Sequence, residues 1–144
     1  PKSTAAKKGA EIRKRIMEGL DGFAELSAAL GKRAESGVLK ALDGRPLRLQ
    51  GKSHAALNYL LQSAGACICS SWVIRANELL KEAGVDYWPM AFVHDEMQLS
   101  VAPQDVERAE FLITTAMKDV EHQYRFRCQL DSEAQHGQNW ADCH

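Results

Sequence analysis

Apolar residues recur at helical spacing through the opening of the chain. Ile12, Ile16 and Leu20 stand four apart, which predicts an amphipathic helix over residues 4–20. A second helical stretch is expected over residues 22–40. Phe23, Leu26, Leu30, Val38 and Leu39 are its candidate contacts, and Gly31 and Gly37 weaken it. Residues 41–49 then read as a β-hairpin, with Asp43-Gly44 at the tight turn and Leu47 and Leu49 alternating after it. The longest predicted helix covers residues 53–83. Leu57, Leu61, Ala64, Ile68, Trp72, Ala76 and Leu79 make one apolar stripe, read as core, and Gly84 ends it. Within it, residues 63–66 are all small, so another backbone could come close there.

Beyond Gly84 the helical period ends, and Met97, Leu99 and Val101 face one way. Residues 87–93 and 97–101 are predicted strands, too close in sequence for anything but an antiparallel hairpin. Pro103, followed by Asp105 and Glu107, opens a helix that turns Val106, Ala109, Ile113, Ala116 and Val120 inward. Residues 126–130 are expected to form a third strand and residues 137–144 an irregular tail. This order describes an α+β fold with a small antiparallel sheet packed on a long helix.

Composition adds bounds rather than detail. A chain of 144 residues supports one modest core, and 45% hydrophobic with 26% charged residues is ordinary for a soluble protein. The formal net charge is -1, but charge is segregated. Lys2, Lys7, Lys8, Arg13, Lys14 and Arg15 crowd the opening segment, with Glu11 the one acid among them. That arm is either a phosphate-contacting face or a solvated helix face. No apolar stretch is long enough to span a bilayer and no signal peptide is visible, so no membrane is expected. The chain starts at Pro1 rather than Met, from which an upstream portion is expected. The four cysteines, Cys67, Cys69, Cys128 and Cys143, lack metal-binding spacing and are read as free buried thiols of a reducing cytoplasm.

Two constellations carry candidate chemistry. Asp95 and Glu96, after His94, put adjacent acids at the turn between two apolar strands. Such acids repel each other, and a magnesium ion, which favours carboxylate oxygens, relieves that repulsion. Taken by itself the same turn is also a common way to keep a sheet edge soluble. His54, Asn58 and Gln62, at i, i+4 and i+8, form a polar stripe on the long helix. Amides offer a donor and an acceptor, suited to the minor-groove edges of base pairs, where acceptors are similar for every pair. A solvated helix face would look alike.

Taken in order, these segments resemble the family A DNA polymerases, in particular the phage replicative branch. The resemblance rests on Leu42-Asp43-Gly44-Arg45, on residues 54–66 and on Ala91-Phe92-Val93-His94-Asp95-Glu96. Phe126-Arg127-Cys128, Leu130-Asp131 and the ending Asn139-Trp140-Ala141-Asp142-Cys143-His144 complete it. It implies a C-terminal fragment, with partial fingers helices over residues 1–40 and a palm region over 41–144. It further implies that Asp95 is a metal-coordinating catalytic aspartate and Glu96 its supporting acid, holding Mg2+ at a two-metal site. His94 would lie beside the primer terminus, and Asn58 and Gln62 would touch the base pairs there. His54 stands where bacterial relatives usually carry Arg, and Arg45 would meet the DNA backbone unless it is structural. Trp140 is expected to pack in the core.

The first palm motif, with the second metal-binding aspartate, is absent, as is the nucleotide-binding fingers helix with its Lys and Tyr. The chain alone is therefore expected to be inactive. Its expected partners are primer-template DNA, a dNTP in the full enzyme and a missing N-terminal polymerase segment, in the cytoplasm of a bacterial host. A truncated polymerase, one subunit of a split polymerase and a non-catalytic DNA-binding or assembly module are the readings that stay open. Without the missing palm strand, the Asp95 hairpin is expected to expose a sheet edge.

Overall fold

The computed structural model describes residues 2–51 and 55–143, excepting the side chains of Lys2 and Ser3. Two compact units divide it, residues 1–64 and 65–144, and the long helix runs through the division.

In the first unit, helix α1 spans Lys2–Gly19 and α2 spans Phe23–Ala34. The apolar stripe of α1 exists, but Ile12, Ile16 and Leu20 are all exposed. Ion pairs Arg15–Glu11 and Lys14–Glu18 run along its charged face. Gly31 sits inside α2 without breaking it. The expected extension of α2 to residue 40 is wrong. Gly37 takes φ 72, a left-handed conformation open to glycine, and the chain leaves the helix there. Val38 and Leu39 consequently lie in strand β1 (Val38–Lys40), paired antiparallel with β2 (Pro46–Arg48).

The hairpin predicted over residues 41–49 is therefore present but displaced. Residues 41–45 are its connection, closed by Ala41 N–H to Arg45 O at 2.8 Å and Gly44 N–H to Ala41 O at 3.0 Å. Only Gly44 of the Asp43-Gly44 pair takes positive φ, so the two-residue turn of a tight hairpin does not form. Leu39 and Leu49 are buried with Ala34 and Ala56, and Leu30, Leu47, Tyr59 and Leu60 close this small core.

Helix α3 spans Ala56–Glu82. Its stripe is core only over part of its length. Trp72 and Ala76 are buried with Ile68 and Leu79 packed beside them, whereas Leu61 is exposed. Leu80, outside the predicted stripe, is fully buried with Val85 and Ala109. Gly84 takes φ 67, while Gly84 N–H bonds Lys81 O and Val85 N–H bonds Leu80 O, both at 3.0 Å. This paired closure satisfies the last carbonyls of the helix. A Cβ at Gly84 would meet nothing within 4 Å, so only the backbone opposes a side chain there. Gly84→Ala should lower stability by about 1–2 kcal/mol, the cost of a left-handed alanine. Urea unfolding measures it, and an unchanged midpoint would refute that account of the helix end.

In the second unit, β3 (Tyr87–Val93) pairs antiparallel with β4 (Glu96–Val101), as their closeness in sequence predicted. A 3-10 turn, Pro103–Asp105, leads into α4 (Val106–Tyr124). Helix α4 turns Ala109, Ala116, Met117 and Val120 inward and packs Ile113 on the Trp72 cluster. Polar bonds fasten α3 to α4: Trp72 Nε1–H to Ile113 O at 2.9 Å and Arg75 Nε–H to Asp119 Oδ2 at 2.7 Å. Tyr87 Oη–H to Asn77 Oδ1, at 2.7 Å, ties the start of β3 to α3. Burial holds the Tyr87 hydroxyl above its ordinary range, so it stays a donor.

The expected third strand at residues 126–130 is not formed. Leu130 N–H instead donates to Glu121 Oε2 at 2.7 Å, and Lys118 Nζ donates to Leu130 O. Side chains of α4 thus take the backbone groups that a strand partner would need. Trp140, expected in the core, is 66% exposed. It belongs to a 3-10 turn, Trp140–Cys143, that closes on itself. Asp142 Oδ2 accepts from Gln138 N–H, Asn139 N–H and Asn139 Nδ2, and so short a turn has no inward face. The architecture is α+β, with two two-stranded antiparallel sheets among the described residues.

Candidate active site

The strand pair of the second unit positions its acids by pairing. Val93 stands opposite Glu96, leaving His94 and Asp95 as a two-residue turn. Only His94 of these two takes positive φ, at 56. That is the sign pattern of a turn whose first central position normally prefers glycine. A histidine held there, at an exposed hairpin tip, is the kind of local strain that collects at functional sites. Glu96 is the first residue of β4 rather than part of the turn.

His94, Asp95 and Glu96 are all exposed. Gln98 Nε2 donates to Glu96 Oε1 at 2.7 Å, two residues along the strand. The Asp95 carboxylate also acts on its surroundings. The Cys69 thiol, half-buried on α3, is pushed up first by burial and then by the negative charge of Asp95. This places Cys69 within the field of the turn, which spacing in the sequence gave no means of finding. Of the other thiols, Cys67 has the expected burial and two depart from it. Cys67 is buried, Cys143 half-buried and Cys128 exposed, and none of the four is in a disulfide.

No group of three or more histidine, cysteine, aspartate or glutamate side chains capable of holding a metal ion occurs among the described residues. The donors at the turn fit part of a magnesium site. Mg2+ is commonly held by one or two carboxylates, with water and substrate phosphates completing its six positions. These acids would therefore need ligands from outside the chain.

The amide stripe lies in the first unit. Asn58 and Gln62 are exposed, one helical turn apart on α3, and share a face. With Leu47, Tyr59 and Ser63 they line a shallow concavity of about 340 Å³. Ser63 Oγ is turned back to Leu60 O at 3.1 Å, while the Asn58 and Gln62 amides are exposed. Spacing in the sequence did not point to Tyr59 and Leu47 as lining residues. Arg45 is held by Asp43. Its Nε donates to Asp43 Oδ2 and its backbone N–H to Asp43 Oδ1 at 3.1 Å. His54 lies outside the described residues.

Residues 25–142 match the model of DNA polymerase family A. The chain belongs to DNA polymerase family A. Among relatives of this family member, the DNA-directed DNA polymerase of Escherichia phage T7 is 44% identical over 115 residues. That match covers 74% of this chain and 16% of the relative. The Enterobacteria phage T3 DNA-directed DNA polymerase is 41% identical over 113 residues, again covering 74% of this chain and 16% of the relative. That of Escherichia phage Phieco32 is 30% identical over 145 residues, covering 96% of this chain and 24% of the relative. The chain thus spans about a sixth to a quarter of the length of these phage polymerases.

The fold agrees. The POL domain of Pol1 from M. smegmatis, solved in complex with DNA primer-template and dNTP, superposes with a TM-score of 0.69. It is 20% identical, and the match covers 78% of this chain and 22% of that one. No helix among the described residues of the family member is long and apolar enough to cross a membrane.

Proposed function

We propose that this chain is the C-terminal palm and part-fingers portion of a DNA-directed DNA polymerase, acting in templated nucleotidyl transfer during phage replication in the bacterial cytoplasm. The observation that carries the proposal is Asp95, an exposed carboxylate at a strained hairpin tip, inside a stretch matching DNA polymerase family A.

In this reading Asp95, supported by Glu96, would hold Mg2+ together with carboxylates of the polymerase segment that this chain lacks. The ions, when bound, would activate a primer hydroxyl and stabilise the leaving pyrophosphate. The chain's own residues position and exclude. His94 presents its ring at the tip, where the primer terminus would lie. Asn58 and Gln62 offer amide donors and acceptors to base edges without reading sequence. Arg45, tied to Asp43, is assigned to the β1–β2 connection first and to the DNA backbone second. His54 is retained as a DNA contact by resemblance. Residues 1–40 are assigned to the fingers and 41–144 to the palm. Primer-template DNA, an incoming dNTP and the upstream polymerase segment are the partners.

The test is complementation. The chain is mixed with Escherichia phage T7 DNA polymerase truncated before the portion that this chain matches. Primer extension with Mg2+ is expected from the mixture and from neither component alone. A mixture as inactive as its parts would sink the proposal.

A non-catalytic DNA-binding or assembly module is the alternative. It predicts that the chain alone binds duplex DNA, with an affinity that falls steeply as salt rises.

A further inference from the structure

In the reading proposed above, Asn58 and Gln62 reach base edges in the minor groove. A helix with its side chains is about 10–12 Å across, whereas the minor groove is about 6 Å wide. Only the amide tips enter, and the surface beside them bears on the sugars that border the groove. Four residues at a rise of about 1.5 Å set the two amides about 6 Å apart along α3, close to two base-pair steps of about 3.4 Å. One or two sugars of a strand therefore fall against the surface next to the amides.

That surface is the concavity of about 340 Å³, lined by Leu47, Tyr59 and Ser63 as well as by the amides. Most of its lining is apolar. Leu47 of β2 and Tyr59 of α3 are half-buried, each packed on the small core of Ala34, Leu39, Leu49 and Ala56. Anchored on that side, neither is free to swing away from a ligand. Ser63 Oγ–H donates to Leu60 O. With Ser63 committed to its own helix and the amides to base edges, the concavity offers a sugar chiefly carbon to rest on. Deoxyribose and ribose differ there by one group. The 2′-hydroxyl is displayed on the minor-groove side and lets a protein tell RNA from DNA. A methylene gains from apolar cover, whereas a hydroxyl loses water and finds no partner in its place.

We propose that Leu47 and Tyr59 are specificity-determining residues that select deoxyribose over ribose in the duplex behind the primer end. Their ligand is one sugar of that duplex, its C2′ methylene resting between β2 and α3. This selectivity rests on the reading given under Proposed function and deepens it. A primer end already made of DNA is gripped more firmly than one that is still RNA at that sugar.

A ribose scan tests this. Duplexes with a single ribonucleotide at each of the last few primer positions, or at the template positions paired with them, are offered to the full chain mixed with T7 DNA polymerase truncated before the matching portion. Binding is read by fluorescence anisotropy, and primer extension with Mg2+ on the same samples. Affinity is expected to fall about tenfold at one or two adjacent positions, within what an apolar site achieves against an added hydroxyl. Tyr59→Ala opens the concavity to water and Leu47→Thr places a hydroxyl in it, so each should shrink that loss to under about threefold. The loss compares two duplexes on one protein, so a general weakening by either substitution cancels. The two substitutions lie on different elements, so misfolding of one leaves the other to decide. A loss that neither relieves belongs to the T7 segment and overturns the inference. A flat scan overturns it too, as does a ribose that strengthens binding by pairing with the Tyr59 hydroxyl. With extension intact, each of these results leaves the polymerase reading standing. A relieved loss in a mixture that binds but does not extend supports the inference and overturns the polymerase reading. A mixture that neither binds nor extends overturns both.

Discussion

Asp95→Asn in the complemented polymerase should lower primer extension about a thousandfold, or roughly 4 kcal/mol of barrier. The substitution preserves shape and removes only the negative charge. Asp95 is exposed at the tip of the hairpin, so its side chain supports little of the fold. The Asn variant should therefore unfold within about 0.5 kcal/mol of the unaltered chain, as surface substitutions usually do. That pairing of a large kinetic loss with unaltered stability separates a metal-holding carboxylate from a merely solubilising acidic turn. Full activity in the variant would remove Asp95 from the site. Glu96→Gln should cost much less, because its carboxylate already engages Gln98 on the strand.

Trp72→Ala should destabilise the chain by about 3–5 kcal/mol, the range for emptying a buried aromatic site. Trp72 is 6% exposed at the centre of the cluster with Ala76, Ala116, Met117 and Val120. Its indole N–H also reaches Ile113 O, which the alanine variant would leave short of a partner. Trp72→Phe keeps most of the volume and loses that bond, so about 1–2 kcal/mol is expected from it. Trp88, 71% exposed on β3, is the internal control: Trp88→Ala should shift stability by less than about 0.5 kcal/mol. Chemical denaturation of the three variants checks the series. Equal losses for Trp72→Ala and Trp88→Ala would contradict the assignment of the core.

The β3–β4 hairpin was legible because its cause is local. An apolar run before His94-Asp95 and alternating apolar residues after it admit one short-range pairing. The end of α3 was legible for the same reason, since Gly84 can take the left-handed conformation that closes a helix. The second helix was overextended because Val38 and Leu39 suit helix or strand equally, and pairing with β2 decided between them. Residues 126–130 read as a strand, yet Glu121 and Lys118 of α4 claimed the backbone of Leu130. Trp140 looked like core because large aromatics usually are, but the carboxylate of Asp142 closed its segment into an outward turn.

The same division holds for the site. Residue types and their order mark Asp95 and Glu96 as acids at a turn, and put Asn58 and Gln62 on one helix face. These are consequences of covalent spacing and backbone period. Tertiary structure decided what spacing cannot reach. It brought Cys69 into the field of Asp95 and walled the amide stripe with Leu47 and Tyr59. A short-range pattern fixes which groups can face one way. Which groups then meet across the fold depends on burial and on competition for backbone hydrogen bonds, and both are settled only when distant elements pack.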